Sequence, residues 1–113
     1  MVKVTIAYEL TAPAGTEGRV VAYTVPGGET FRLEKLILWT TSGTEGSLSL
    51  AVMRGERQII PLYGYIKPTD QILTIECYEY FEEESKIVIY YNNEDTTNDH
   101  KAWLLLWGEM NAT

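Results

Sequence analysis

Apolar and polar side chains alternate with a period of two along most of this chain. Val2, Val4, Ile6, Tyr8 and Leu10 fall on one side and Lys3, Thr5 and Glu9 on the other, the pattern of a strand with one buried face. Arg19–Val25 reads as a second strand. It is ended by Pro26-Gly27-Gly28-Glu29, where proline lacks a donor and glycine supplies a positive φ. Phe31–Thr41 is a third strand with a slip of phase. Phe31 and Leu33 share one face, Leu36 and Leu38 the other, and Ile37 and Trp39 return to the phase of Phe31. Either a bulge near Glu34-Lys35 or cover on both sides of the second half accounts for this.

Leu48, Leu50 and Val52 alternate with Ser47, Ser49 and Ala51 in a fourth strand. Gln58–Leu62, Gln71–Phe81, Lys86–Tyr91 and Lys101–Gly108 read as four more. Turn-forming stretches separate them: Thr11–Gly18, Thr40–Gly46, Arg54–Arg57, Tyr63–Asp70, Glu82–Ser85 and Asn92–His100. No stretch holds a helical period. About eight short strands between Gly, Pro and Asn turns predict an all-β sandwich of two four-stranded sheets, of jelly-roll type. An immunoglobulin-like sandwich is the alternative topology, although its Cys…Trp…Cys spacing is absent.

The last run is apolar on both sides of any pleat. Trp103, Leu105 and Trp107 point one way, and Ala102, Leu104 and Leu106 the other. Such a strand is central and sandwiched, or it also faces a partner. The 113 residues, 45% of them hydrophobic, suit one domain with its own core. Eight Tyr and three Trp are more than one small core encloses, so the excess points to a homo-oligomer, a trimer being one such form. The net charge of −7, with no cluster of Lys or Arg, repels nucleic-acid backbones and anionic membranes. Cys77 is the only cysteine. No intrachain disulfide can form, and the thiol is expected to be buried and inert. The N-terminal residues alternate without the apolar core of a signal peptide. Synthesis in the cytoplasm is the expectation, followed by use there or assembly into something larger.

Candidate chemistry is sparse. In Asn92–His100, Glu94, Asp95, Asn98 and Asp99 offer oxygen donors, and Asp95 and Asp99 are weak candidates for holding Ca²⁺. Their spacing is not that of an EF-hand. The competing reading is a solvated connection whose Asn and Asp side chains cap their own turns. His100 is the only histidine, too few for zinc, and the expected role is to tie the loop end to a backbone carbonyl. Glu82-Glu83-Glu84 is a solvated turn rather than a pair of carboxylates facing across a cleft. No catalytic residue and no cofactor is expected. Tyr63, Tyr65 and Ile66 sit on a loop, where they either cap the core or contact a protein or a sugar. Together with Trp103 and Trp107 they are the candidate contact residues.

Pro26-Gly27-Gly28-Glu29-Thr30-Phe31-Arg32-Leu33 leads from a turn into a long strand. Ile60-Pro61-Leu62 forms an edge, and Ile87–Asn92 pairs in rhythm with His100–Gly108. In these features the chain resembles the small jelly-roll accessory proteins of virus and phage particles. The resemblance implies a structural role in symmetric oligomers: capsid decoration, or spike or tail attachment beside other structural proteins. A carbohydrate-binding sandwich using Tyr63, Tyr65 and a loop-bound Ca²⁺ is the alternative. A cupin-like enzyme is the third reading, and it lacks the several His that hold a cupin metal.

Overall fold

The computed structural model describes residues 2–41 and 46–113, so the middle of the Thr40–Gly46 loop lies outside the described residues. The strands are β1 (Val2–Ala12), β2 (Glu17–Thr24), β3 (Glu29–Thr40), β4 (Leu48–Arg54), β5 (Arg57–Ile60), β6 (Leu73–Phe81), β7 (Lys86–Asn93) and β8 (His100–Ala112). There is no helix among the described residues.

The first sheet runs β1-β8-β3-β6 and the second β2-β7-β4-β5. β1 pairs with β8, β2 with β7, β3 with β6 and β4 with β5, all antiparallel. The chain is thus a ribbon doubled back at the Gly55 turn and rolled up, with β3·β8 and β4·β7 joining its coils. This is a jelly roll. Its strand order sets aside the immunoglobulin-like alternative.

The inward faces meet in one cluster. Leu10, Phe31, Leu33, Leu36 and Leu38 lie against Leu48, Leu50, Ile87, Ile89, Leu104 and Leu106, each side chain almost wholly buried. Burying a side chain of this size stabilises by about 1.5–3 kcal/mol. The two ends of the roll are closed by different loops. At one, Gly15 N–H donates to Asp95 C=O (2.9 Å) and Glu94 N–H to Ser47 C=O (2.8 Å). At the other, Val25 N–H donates to Ser85 C=O (2.9 Å) and Gly55 N–H to Lys86 C=O (3.1 Å). The acidic turn there is more than solvated, because Glu83 Oε2 accepts from Gly28 N–H at 3.2 Å.

The phase slip in β3 is a bulge. Leu33 lies opposite Gly108 and Glu79, and Lys35 opposite Trp107 and Glu76. Between those rows β8 has no residue, β3 has Glu34, and β6 has both Cys77 and Tyr78. The extra residue lets Phe31, Leu33, Leu36 and Leu38 all face inward, so Ile37 and Trp39 turn outward. Gly108 permits the close approach. A Cβ there would stand 2.1 Å from the Arg32 carbonyl oxygen and 2.9 Å from the Phe31 ring, where no side chain fits.

Candidate functional site

β8 explains its two apolar faces by position: it is central, between β1 and β3. Leu104 and Leu106 go into the core, while Trp103, Leu105 and Trp107 are half-buried on the outer face of the first sheet. Register sets Trp103 beside Trp39, Leu105 beside Ile37 and Trp107 beside Lys35. The rings of Trp39 and Trp103 stack with centroids 6.2 Å apart and planes 15° from parallel. The ammonium groups of Lys3 and Lys35 sit 4.9 Å and 5.4 Å from the Trp107 ring centre, each contact worth about 0.5–1 kcal/mol at an exposed site. A shallow depression of about 370 Å³ over Ala7 is walled by Trp39, Trp103 and Leu105.

The same face ends in a charged cluster. Glu109, its side chain 4% exposed, accepts from Arg32 Nη2 at 2.9 Å and lies 3.3 Å from Lys3 Nζ. Lys3 also reaches Glu34 at 3.1 Å. Burial pushes the Glu109 carboxyl up, but hydrogen bonds from Lys3 and Asn111 and the charge of Arg32 outweigh it and hold it below its ordinary value. Arg32 stacks over the Tyr78 ring at 4.9 Å. Ile37, Trp39 and this cluster are not among the residues singled out from the sequence. Ile37 and Trp39 carry one sequence signal, a shared phase opposite to Leu36 and Leu38. Which strand lies beside them depends on long-range pairing.

Tyr63 and Tyr65 sit elsewhere, beside the second sheet. Tyr63 is 92% exposed and Tyr65 50%. The Tyr65 ring stacks on Tyr90, centroids 5.2 Å apart, next to the wholly buried Ala51 that register places opposite Tyr90. The Tyr90 hydroxyl donates to Glu17 Oε2. Burial first, then Glu17, pushes that phenol well above its ordinary value. Ile66 parts from the two tyrosines. It exchanges both backbone hydrogen bonds with Leu50 at 2.8 Å and is buried in the core. Gln58 Nε2 holds the intervening loop, donating to the carbonyls of Pro61 and Gly64 at 2.7 Å.

In the β7–β8 loop the two candidate carboxylates, Asp95 and Asp99, accept hydrogen bonds from the protein's own donors. Asp95 Oδ1 accepts from Thr97 N–H (2.9 Å) and Asn98 N–H (3.1 Å), and its Oδ2 lies 2.9 Å from His100 Nε2. Thr97 first, then His100 and Asn98, holds the Asp95 carboxyl well below the usual range. Asp99 Oδ1 accepts from Ala14 N–H at 2.9 Å. His100 thus ties the loop end through the Asp95 carboxylate, and its Nε2 also lies 3.4 Å from Ser47 Oγ. The buried Asn93 amide donates to the carbonyls of Ala12 and Asn98, both at 3.0 Å, and stitches this loop to β1. Cys77 is half-buried rather than enclosed. Burial, then Glu79, pushes its thiol up to about 11. Among the described residues no three His, Cys, Asp or Glu side chains gather where they could share a metal ion.

No protein-family model matches the chain, and no curated protein matches it in sequence. Among solved structures it is similar to a chain in the acidic stable capsid structure of Helicobacter pylori bacteriophage KHP30. The TM-score is 0.58 at 12% identity, over 99% of this chain and 98% of that one. It is also similar to the SPBc2 prophage-derived protein YomS (TM-score 0.49, 11% identity, 95% and 96% of the two chains). A third similar structure is the N-terminal cellulose-binding domain of Cellulomonas fimi β-1,4-glucanase C (TM-score 0.37, 10% identity, 96% and 88%). The likeness to the KHP30 chain is one of fold along the whole length, in keeping with the resemblance read from the sequence.

Proposed function

We propose that this chain is a non-catalytic structural module of a phage particle, one that self-associates and attaches to other structural proteins of the assembly. The observation that carries the reading is the outward band of Trp39, Trp103, Ile37, Leu105 and Trp107 on the first sheet. Large aromatics on an open sheet face are the composition of a protein contact. The full-length likeness of fold to a chain of a phage capsid structure supports the same reading. Size-exclusion chromatography with light scattering, run over a range of concentrations, tests self-association. The expected mass is a multiple of 12.8 kDa. A monomer at every concentration overturns that part of the reading.

One observation favours a second reading, a carbohydrate-binding module: the Tyr63 ring is 92% exposed on a loop tip, with Tyr65 close in sequence, as aromatics that stack on sugars are placed. A glycan array read with and without chelator separates the two. Signal lost on Tyr63→Ala would favour the sugar, and an array without signal the structural module.

A further inference from the structure

β1 is an edge strand of the first sheet, with β8 on one side and no strand on the other among the described residues. Its pairing with β8 is unbroken from Val2 opposite Met110 to Ala12 opposite His100. It contains no bulge, no proline and no run of like charge, the usual devices that keep an edge from pairing. Its inward side chains Val4, Ile6 and Tyr8 are only partly buried, as are Val20, Ala22 and Tyr23 packed on the core from β2. A depression of about 420 Å³ opens on this side between Val2, Val4, Tyr23 and Met110. The sandwich is therefore unsealed along β1.

The order of residues in β1 says what would seal it. Turned antiparallel against itself about Ile6, the strand sets Val2 opposite Leu10, Lys3 opposite Glu9, Val4 opposite Tyr8 and Thr5 opposite Ala7. Every inward residue meets an inward one, every outward residue an outward one, and the two charges are opposite. A slip by one residue would lose all three matches.

We propose that β1 is the contact of a two-fold dimer of this chain, adding antiparallel to β1 of a second copy about an axis at Ile6. The proposal rests on the self-association put forward above and assigns it to the β1 edge, which leaves the outward tryptophan band to the other structural proteins. The two sheets become one, β6-β3-β8-β1 continuing into the same strands of the second copy in reverse order. Lys3 and the partner's Glu9 form a cross-strand ion pair twice over, as a two-fold requires. Neither residue gives up its present contacts. Lys3 keeps Glu34 and Glu109, and Glu9 keeps Lys101 at 3.3 Å, so signs alternate across the junction. The short outward side chains of Thr5 and Ala7 face each other between the pairs, which lets the strands close.

The test is sedimentation of the full chain over a concentration series, with Glu9→Lys, Lys3→Glu and their equal mixture. The wild type is expected as a dimer, and each variant alone as a dimer weakened at least about tenfold by like charges facing twice. The mixture regains dimerisation, because the two lysines on β1 of one variant then face the two glutamates on β1 of the other. Among the described residues Glu9 pairs only with the exposed Lys101 of its own chain, so E9K should melt like the wild type at dilutions where both are monomers. Association undiminished in E9K overturns the β1 contact and leaves self-association standing, and a wild type monomeric throughout overturns both. If K3E does not fold, hydrogen exchange decides. Amides of Val2–Leu10 should slow as the wild type is concentrated and not in E9K, and rates independent of concentration in the wild type overturn the contact.

Discussion

The first sheet has two edges, built to opposite designs. β6 carries the doubled bulge at Cys77 and Tyr78 and two acids, Glu76 and Glu79. Its side of the sandwich is crossed by a bridge between the sheets, Arg54 Nη2 to Glu79 Oε2 at 3.1 Å, with the Arg54 guanidinium 5.2 Å from the Phe81 ring centre. β1 keeps an unbroken register and is mixed in charge, with Lys3 and Glu9 along it. Bulges and like charges deter pairing, and a flat edge with matched charges invites it. One strand order can thus hold a sealed edge and a receptive one, and the difference is local: a single inserted residue in β3 and a second in β6.

The largest effect should come from filling the space that the close approach at the bulge needs. Gly108→Ala drives a Cβ into the Arg32 carbonyl, which is backbone and cannot step aside. A loss of about 3–5 kcal/mol is expected in urea unfolding, the range of severe packing and backbone clashes. Gly27→Ala is the matched control, since its Cβ would meet only the flexible end of Glu84 at 3.6 Å, and it should stay within about 0.5 kcal/mol of the wild type. Equal losses would refute the role given to Gly108. Next in size are the two ends of one row, Ile6–Leu106–Leu36–Ile75. Both outer members are partly buried, so Ile→Ala at either should cost about 1–2 kcal/mol, below the full-burial range. Ile75→Ala should cost the same at every protein concentration. The cost of Ile6→Ala should grow on concentrating the chain, because Ile6 then faces itself. Identical concentration dependence at both would erase the distinction between the edges.

Much of this was legible in period two. The number of strands, the loops and a slip at Glu34-Lys35 follow from where apolar residues fall in and out of phase, and the pairing decides that the slip is a bulge. Strand ends and neighbours do not. β8 continues past Gly108 to Ala112, yet Glu109 reads as the end of an apolar run. Its burial is affordable only because Lys3 from β1 and Arg32 from β3 reach it, and that meeting depends on a strand order no local pattern contains. Trp39 over Trp103 has the same origin. Ile66 misleads for the reverse reason. It sits beside two exposed tyrosines in a loop, but its backbone completes the edge of β4, so its side chain is drawn inward.

Glu109 gives a smaller, pH-dependent effect. A carboxyl held below its ordinary value adds stability that is present above that value, about 4.3 for Glu, and is lost as pH falls through the folded one. Glu109→Gln should therefore flatten the acid limb of a stability–pH curve below about pH 5, with little change in slope nearer neutrality. Asp95→Asn should flatten the same limb through the β7–β8 loop. A curve unchanged by E109Q would mean that its cations do not stabilise the ionised form.

The smallest effect leaves stability untouched and reads the β6 edge alone. Cys77 lies in the β6 bulge, its thiol pushed up to about 11 by burial and Glu79. The thiolate is the nucleophile, so alkylation of the folded chain at pH 8 should be on the order of a hundredfold slower than in urea. If β6 is the sealed edge, this rate does not move when the chain is concentrated, while exchange along β1 slows. Were β6 instead the strand that pairs, the thiol would be further shielded at high concentration and the two readouts would change places.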